Sequence, residues 1–154
     1  TTSTDVVFPG SGVRQETTIT PDLVHSIRQY TNDRLVTNTL QHASLGTLGS
    51  ATFAYDPHGR LQSTTDARTG TTSYTYYNDD QVKTVTTPDP DTTRSGPGYD
   101  PQTTSYVYDN AGRLQTTTLP DSTTVTQEYY PTGQLKKTTG SLTRRPTPMT
   151  PRAA

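Results

Sequence analysis

Apolar or aromatic residues alternate with threonine and serine along much of the chain. In Thr71–Tyr76, for example, Tyr74 and Tyr76 fall on one side, and Thr75 and the next residue, Tyr77, fall on the other. This period of two is typical of a β-strand with one buried face. The same pattern predicts strands of about five residues at Leu61–Thr65, Thr71–Tyr76, Val82–Thr87, Thr103–Tyr108, Leu114–Leu119 and Thr124–Tyr129.

Four related segments join these strands in pairs. Their first tyrosines are 21, 32 and 21 residues apart, which is a period of 21 with one 11-residue insertion. The insertion falls at about residues 88–102, a Pro- and Gly-rich stretch that predicts an irregular loop. A fixed period of this kind indicates a repeat architecture. The segments are Tyr55-Asp-Pro-His-Gly-Arg-Leu61, Tyr76-Tyr-Asn-Asp-Asp-Gln-Val82, Tyr108-Asp-Asn-Ala-Gly-Arg-Leu114 and Tyr129-Tyr-Pro-Thr-Gly-Gln-Leu135.

Each segment has the residues of a tight hairpin loop. Asp56, Pro57 and Gly59 stand where a type I turn prefers them, and a left-handed glycine completes a three-residue loop with a bulge. Asp80 replaces this glycine in the second segment, and aspartate tolerates the left-handed region better than most residues. The register places Asp opposite Arg and Tyr opposite an aliphatic residue. The expected pairs are Asp56 with Arg60, Asp109 with Arg113, Tyr55 with Leu61, Tyr76 with Val82, Tyr108 with Leu114 and Tyr129 with Leu135.

The motif Tyr-Asp-x-x-Gly-Arg-Leu at this interval resembles the signature of the YD-repeat, or Rhs-repeat, family. Tyr55–Leu61 and Tyr108–Leu114 match it fully, and the resemblance covers residues 52–140. It implies an all-β fold of antiparallel hairpin repeats that form part of a spiral β-sheet shell. It also implies a bacterial polymorphic-toxin or cell-surface protein, secreted or exposed on the cell, in which the shell encloses or presents a toxin or effector. Its self-cleaving core region has no counterpart that we identify in this sequence.

Residues 1–51 fit the repeat less well and are interpreted as a degenerate β repeat or an N-terminal flank. Tyr30-Thr-Asn-Asp-Arg-Leu35 has the outline of another hairpin loop, and Pro9-Gly10 predicts an earlier turn between Val6–Phe8 and Val13–Ile19. Thr20-Pro-Asp22 is also compatible with the start of a short helix through Tyr30, because proline suits the first helical position. We favour the β alternative.

Residues 141–154 are basic and rich in proline, which predicts a disordered tail. A further repeat is due near residue 150. With GC-rich codons for 148–153, reading two bases later gives Tyr-Asp-Ala-Gln-Gly-Arg. We therefore hypothesise that a frameshift produced the tail, which the nucleotide sequence tests directly. Together with the absence of an initiator methionine, the repeats favour a fragment of a longer protein.

Composition narrows the function. Thirty-six threonines and ten tyrosines suit strands, but hydrophobic residues make up only 27%, so we expect a thin core. The net charge of −1 argues against nucleic-acid binding. There is no cysteine, and no apolar run is long enough for a membrane span. Because both edges of such a sheet would be open, we expect the isolated chain to be marginally stable or to self-associate.

The sequence gives few candidates for chemistry. The three histidines (His25, His42 and His58) have no metal-ligand spacing, Asp79-Asp80 is best explained as a turn, and Asp89 with Asp100 is half of a calcium loop at most. We therefore expect no catalytic residue, metal or cofactor, and a structural role with neighbouring repeats as partners. The alternative is a carbohydrate- or cell-surface-binding module, for which the candidate glycan contacts are Tyr74, Tyr77 and Tyr130.

Overall fold

A computed structural model of the chain describes residues 2–90 and 100–141. These residues form twelve β-strands and no helix, so the predicted all-β class is confirmed. The strands are β1 (Ser3–Gly10), β2 (Val13–Ile19), β3 (Val24–Thr31), β4 (Arg34–His42), β5 (Gly46–Tyr55), β6 (Leu61–Asp66), β7 (Gly70–Tyr76), β8 (Val82–Thr87), β9 (Gln102–Tyr108), β10 (Leu114–Thr118), β11 (Thr124–Tyr129) and β12 (Leu135–Ser141).

The chain divides into two compact units after Gln102. In the first unit, β1 to β8 follow one another as an antiparallel meander in which every strand pairs with the next. In the second unit, β9 to β12 do the same. Each odd-numbered strand and the even-numbered strand after it form one hairpin. The observed architecture is therefore the predicted series of antiparallel β-hairpins.

The predicted strands and registers are confirmed closely. All six predicted segments are strands whose ends differ by at most one residue from the prediction. Tyrosine pairs with leucine or valine at the end of each repeat hairpin, as Tyr55–Leu61 and Tyr129–Leu135 illustrate. A bulge lies next to each pair, and Gly59, Gly112 and Gly133 have φ between 75° and 89°. The three-residue loop with a left-handed glycine is thus the observed one.

The N-terminal residues continue the meander. Tyr30 pairs with Leu35, and Asn32 and Asp33, at φ 49° and 60°, form the two-residue loop between β3 and β4. The alternative of a helix from Thr20 to Tyr30 is wrong, because Val24–Thr31 is a strand paired on both sides. The turn expected at Pro9-Gly10 is also wrong in position. β1 continues through these residues over a bulge, and the chain turns at Ser11-Gly12, where glycine supplies φ 73°.

The two faces of each sheet differ in chemistry. The signature tyrosines lie on one face with the aliphatic residues opposite them, whereas the other face carries mostly threonine and serine. On that second face, hydroxyls of Thr65 and Thr71 are 2.8 Å apart, and those of Thr75 and Thr84 are 2.6 Å apart. Among the described residues no hydrophobic side chain is buried, and the one buried residue is Thr123, which is 6% exposed. Within residues 2–90 and 100–141 the contacts between strands join strands that follow one another in the chain, so the stability of each unit must come from contacts within its own sheet.

Two predictions concern residues that are not described. The irregular insertion at 88–102 lies largely in 91–99, and the disordered or frame-shifted tail lies in 142–154; both stretches are outside the described residues. The division into a flank at 1–51, a repeat region at 52–140 and a tail stays a prediction.

Candidate functional site at the hairpin loops

The aspartate and arginine of the signature close each full repeat loop upon itself. Asp56 Oδ1 accepts the Arg60 backbone N–H at 2.9 Å, and Oδ2 accepts Arg60 Nε at 2.7 Å. Asp109 makes the same two contacts with Arg113, at 3.0 and 2.7 Å. In the backbone, the Asp56 N–H donates to the Arg60 carbonyl and the Gly59 N–H donates to the Asp56 carbonyl. The aspartate therefore holds the turn while it orients the guanidinium.

These contacts favour the ionised carboxylates. Hydrogen bonds from the Arg113 guanidinium and backbone N–H lower the pKa of Asp109, against a smaller opposing effect of desolvation. At Asp56 desolvation is the largest single influence and by itself raises the pKa. The hydrogen bonds and charge of Arg60 together outweigh it, so the pKa of Asp56 is lowered. Both loops consequently carry a fixed Asp–Arg ion pair at neutral pH.

The same arginines reach forward to the next hairpin. The Arg60 guanidinium carbon lies 4.6 Å from the centroid of the Tyr76 ring, and Arg113 lies 4.7 Å from that of Tyr129. Arg60 Nη1 also donates to the Tyr77 carbonyl at 3.1 Å. Arg113 Nη1 donates to the Tyr130 carbonyl at 3.3 Å. One side chain thus joins its own loop, the ring of the following tyrosine and the backbone of the following loop.

The tyrosine completes the connection in the reverse direction. The hydroxyl of Tyr76 donates to the carbonyl of Leu61 at 2.7 Å, and that of Tyr129 donates to the carbonyl of Leu114 at 2.8 Å. We call this set the Arg–Tyr–Leu contact: an arginine over the tyrosine ring of the next hairpin, whose hydroxyl binds the carbonyl of the leucine after that arginine. The signature residues therefore connect consecutive repeats as well as close each loop.

The contact extends into the N-terminal hairpins. Arg34 lies 5.7 Å from the Tyr55 ring centroid, and the Tyr55 hydroxyl donates to the Leu35 carbonyl at 2.9 Å. One hairpin earlier, Arg14 lies 4.1 Å from the Tyr30 centroid, and the Tyr30 hydroxyl donates to Glu16 instead, at 3.0 Å. Residues 30–35, which match the signature poorly, thus keep its inter-repeat function through Arg34 and Leu35.

The contacts of these arginines with the next hairpin were not predicted from the sequence. Arg60 and Arg113 were expected to pair within their own turns, which they do, but their contacts with the next hairpin were not foreseen. The signal was present: each Arg-Leu pair precedes the next tyrosine by a constant interval in the full repeats, 15 residues from Leu61 to Tyr76 and from Leu114 to Tyr129. Two antiparallel strands and a turn occupy that interval, which places leucine and tyrosine on neighbouring hairpins.

The candidate glycan tyrosines occupy different positions in their hairpins. Tyr74 lies within β7 on the same face as Tyr76, whereas Tyr77 begins the adjacent loop, with Lys83 Nζ 5.6 Å from its ring centroid. Tyr130 occupies the equivalent loop position in the second unit, and 48% of it is exposed. The role of these three rings in glycan contact stays a prediction.

No cluster suited to a metal ion occurs in the described part of the chain, where no three histidine, aspartate or glutamate side chains converge. Asp89 and Asp100 do lie close together, since Asp89 Oδ2 accepts the Asp100 backbone N–H at 3.1 Å. Asp80, at φ 67°, forms its turn as expected and binds Arg60 Nη1 at 2.8 Å.

Within residues 2–90 and 100–141 no helix has the length and apolar character that a membrane crossing requires.

No protein-family model matches the sequence, and no curated protein matches it. Among solved structures, the chain is similar to a chain in the crystal structure of TcdB2-TccC3-Cdc42, with a TM-score of 0.66 and 20% identity. The match covers 82% of this chain but only 7% of the other one. The hairpins described here therefore have the same fold as the matched part of that chain. At this identity the likeness shows the fold alone.

Proposed function

We propose that this chain is a non-catalytic structural segment of an Rhs/YD-repeat protein, part of a shell that encloses or presents a toxin or effector. The observation that carries the proposal is the Arg–Tyr–Leu contact, because it gives the arginine, tyrosine and leucine of the signature a role in joining hairpins. A hairpin that has no buried hydrophobic residue of its own depends on its neighbours. The fold shared with the matched chain and the small covered share of that chain support a segment of a much larger array.

The experiment is to express the complete reading frame that contains this sequence and to determine the structure of its product. The proposal expects further Tyr-Asp-x-x-Gly-Arg-Leu hairpins on either side and an enclosed segment that resists protease until the shell is denatured. A product that consists of these hairpins alone, or one whose remaining segments are cleaved at once in native buffer, contradicts the shell. Secretion or surface exposure is part of the proposal and is tested by fractionating the producing cells.

Carbohydrate binding is a second candidate, favoured by the half-exposed ring of Tyr130 at a hairpin loop. An aromatic face beside loop hydroxyls and amides is able to stack on a sugar ring. Titration with oligosaccharides, followed by tyrosine fluorescence, should show saturable binding that Tyr130→Ala removes. Tyr106, which lies within β9 and not at a loop, serves as the control, and Tyr106→Ala should retain binding. Absence of binding across a broad glycan array would eliminate this candidate and leave the structural proposal unaffected.

A further inference from the structure

Two turns of the first unit share one backbone plan but begin with different side chains. The β4–β5 turn is His42-Ala-Ser-Leu-Gly46, and the β6–β7 turn is Asp66-Ala-Arg-Thr-Gly70. In each turn three residues lie outside the strands, and the glycine that follows them is left-handed, at φ 75° and 93° respectively. The residue before each turn pairs directly with that glycine. The side chain that begins the turn is therefore the informative difference between them.

This first side chain closes both turns in the same way. His42 Nδ1 accepts the backbone N–H of Ser44 at 3.1 Å, and Asp66 Oδ1 accepts the backbone N–H of Arg68 at 2.8 Å. Aspartate commonly closes turns by accepting the N–H two residues further along. In the β4–β5 turn a histidine nitrogen thus takes the place of the carboxylate oxygen.

The two acceptors respond to acid at different pH. An imidazole nitrogen accepts a hydrogen bond only while it carries no proton, and a free imidazole takes up its second proton at about pH 6.5. The N–H groups of Arg68 and Thr69 lower the pKa of Asp66 below its ordinary 3.8, so this carboxylate stays ionised in mild acid. We propose that His42 makes the β4–β5 turn a pH-sensitive element, closed at neutral pH and open below about pH 6. The β6–β7 turn stays closed over this range.

The groups around His42 do not prevent its protonation. Asp22, in the β2–β3 turn, has a pKa lowered chiefly by a hydrogen bond from Thr20, and the nearby His42 lowers it further. The charge that Asp22 presents to the imidazole is therefore of unlike sign. On β3, His25 points to the face opposite His42. Residues 46–48 of β5 carry no ionisable side chain.

Opening of the β4–β5 turn also affects the turn beside it. The backbone N–H of Ala43 donates to the Leu23 carbonyl at 3.2 Å, which joins the β4–β5 turn to the β2–β3 turn. Leu23 has φ 61°, a left-handed conformation that disfavours leucine. Leu23 and Leu45 are 52% and 73% exposed, so packing does little to hold either turn and the hydrogen bonds matter more. Loss of the His42 bond should therefore loosen both turns, as a local opening that their own amides report.

Amide exchange with water, measured residue by residue by NMR on the 154-residue chain and corrected for the intrinsic effect of pH, tests the inference. Between about pH 7.5 and about pH 5, protection of the Ser44 amide should fall about threefold or more, whereas protection of the Arg68 amide should stay constant. His42→Asp gives the β4–β5 turn the acceptor of the β6–β7 turn and should abolish the change at Ser44. Asp66→His is the reciprocal variant and should make the Arg68 amide lose protection over the same range.

Far-ultraviolet circular dichroism at both pH values checks that each variant keeps its sheet. If a variant unfolds, the comparison of Ser44 with Arg68 in the wild type still decides. Constant protection of Ser44 in the wild type overturns the inference, as does an equal loss in His42→Asp. A parallel loss at Arg68 in the wild type also overturns it, because the cause would then be general. The inference goes beyond the proposed function, which fails separately if the complete reading frame lacks further hairpins.

Discussion

The guanidinium carbon of Arg113 lies 4.7 Å from the centroid of the Tyr129 ring, although the two residues belong to successive hairpins. Arg113 is at the same time bound to Asp109 through Nε and Nη2, each at 2.7 Å. An arginine held by its own loop presents its flat face to the following ring at little further loss of side-chain freedom. The loop of one repeat therefore positions the arginine that packs on the tyrosine of the next repeat.

Energetic coupling between Arg113 and Tyr129 is the first prediction. In a double-mutant cycle of Arg113→Gln and Tyr129→Leu, unfolding free energies should show a coupling of about 0.5–1 kcal/mol, as expected for an exposed cation–π pair. The comparison cycle replaces Tyr129→Leu with Tyr130→Leu, which removes the adjacent ring and keeps the carbonyl that Arg113 binds. In that cycle the changes in unfolding free energy of the two single variants should add up to the change of the double variant. Equal coupling in both would show that the ring contact is not specific.

The tyrosine hydroxyls give the second prediction. Tyr55→Phe removes only the hydrogen bond to the Leu35 carbonyl, which is 2.9 Å long. It should lower the free energy of unfolding by about 0.5–1.5 kcal/mol, the usual net value of such a bond. Tyr130→Phe removes the hydroxyl of a half-exposed residue at a loop and should change the free energy of unfolding by less than about 0.5 kcal/mol. Urea denaturation of both variants measures the difference. If Tyr55→Phe is as neutral as Tyr130→Phe, the inter-hairpin hydrogen bond does not stabilise the sheet.

The sequence predicted most of the local structure because its signals are local. The alternation of apolar and polar residues predicted the strands. The positions of Asp, Pro and Gly predicted the loop between Tyr55 and Leu61. The turn at Pro9-Gly10 was misplaced, since proline is also accommodated at a bulge of an edge strand, and the turn followed the left-handed Gly12 instead. The helix alternative at residues 20–30 failed because pairing with β2 and β4 decided the conformation.

The inter-hairpin contacts were harder to predict. Arg60 has an obvious partner within its own loop, Asp56, and the motif alone does not show that a second set of contacts exists. That set depends on which tyrosine the sheet twist and strand spacing bring beneath the guanidinium, a property of two hairpins together. Glu16, which receives the Tyr30 hydroxyl, illustrates the point: it lies on β2 and belongs to no motif.

The loop glycines provide the third prediction. Gly133 has φ 89° and Gly140 lies in β12 with an ordinary φ, and a Cβ would meet no other atom within 4 Å at either position. Alanine at 133 is therefore strained by backbone conformation alone and should cost about 1–2 kcal/mol of stability. Alanine at 140 should be neutral or stabilise by up to about 1 kcal/mol, since it restricts the unfolded chain. Thermal unfolding of the two variants compares them. Equal effects would mean that the left-handed loop is not required.

The fourth prediction concerns the loss of stability at low pH. Hydrogen bonds from Arg113 lower the pKa of Asp109 below its ordinary 3.8, so the folded state binds this proton less readily than the unfolded state. The stability that the group contributes is therefore present above pH 3.8 and is lost as the pH falls through the lower, folded value. The pKa values of Asp22, Asp56, Asp66 and Asp121 are lowered too, and their contributions act in the same direction. Unfolding free energy should therefore be nearly constant from pH 7 to about pH 5 and should decrease steeply below pH 4.

Asp109→Asn isolates the contribution of one loop to this acid dependence. The amide oxygen is still able to accept the backbone N–H groups of Ala111 and Arg113, but the side chain no longer ionises. The variant should be less stable than the wild type at pH 7, and the difference should shrink as both are taken below pH 4, because the wild-type carboxylate is then protonated as well. Urea titrations at a series of pH values measure this convergence. A difference that is the same at pH 7 and at pH 3 would mean that Asp109 supports the loop through its shape and hydrogen bonds, without a contribution from its charge.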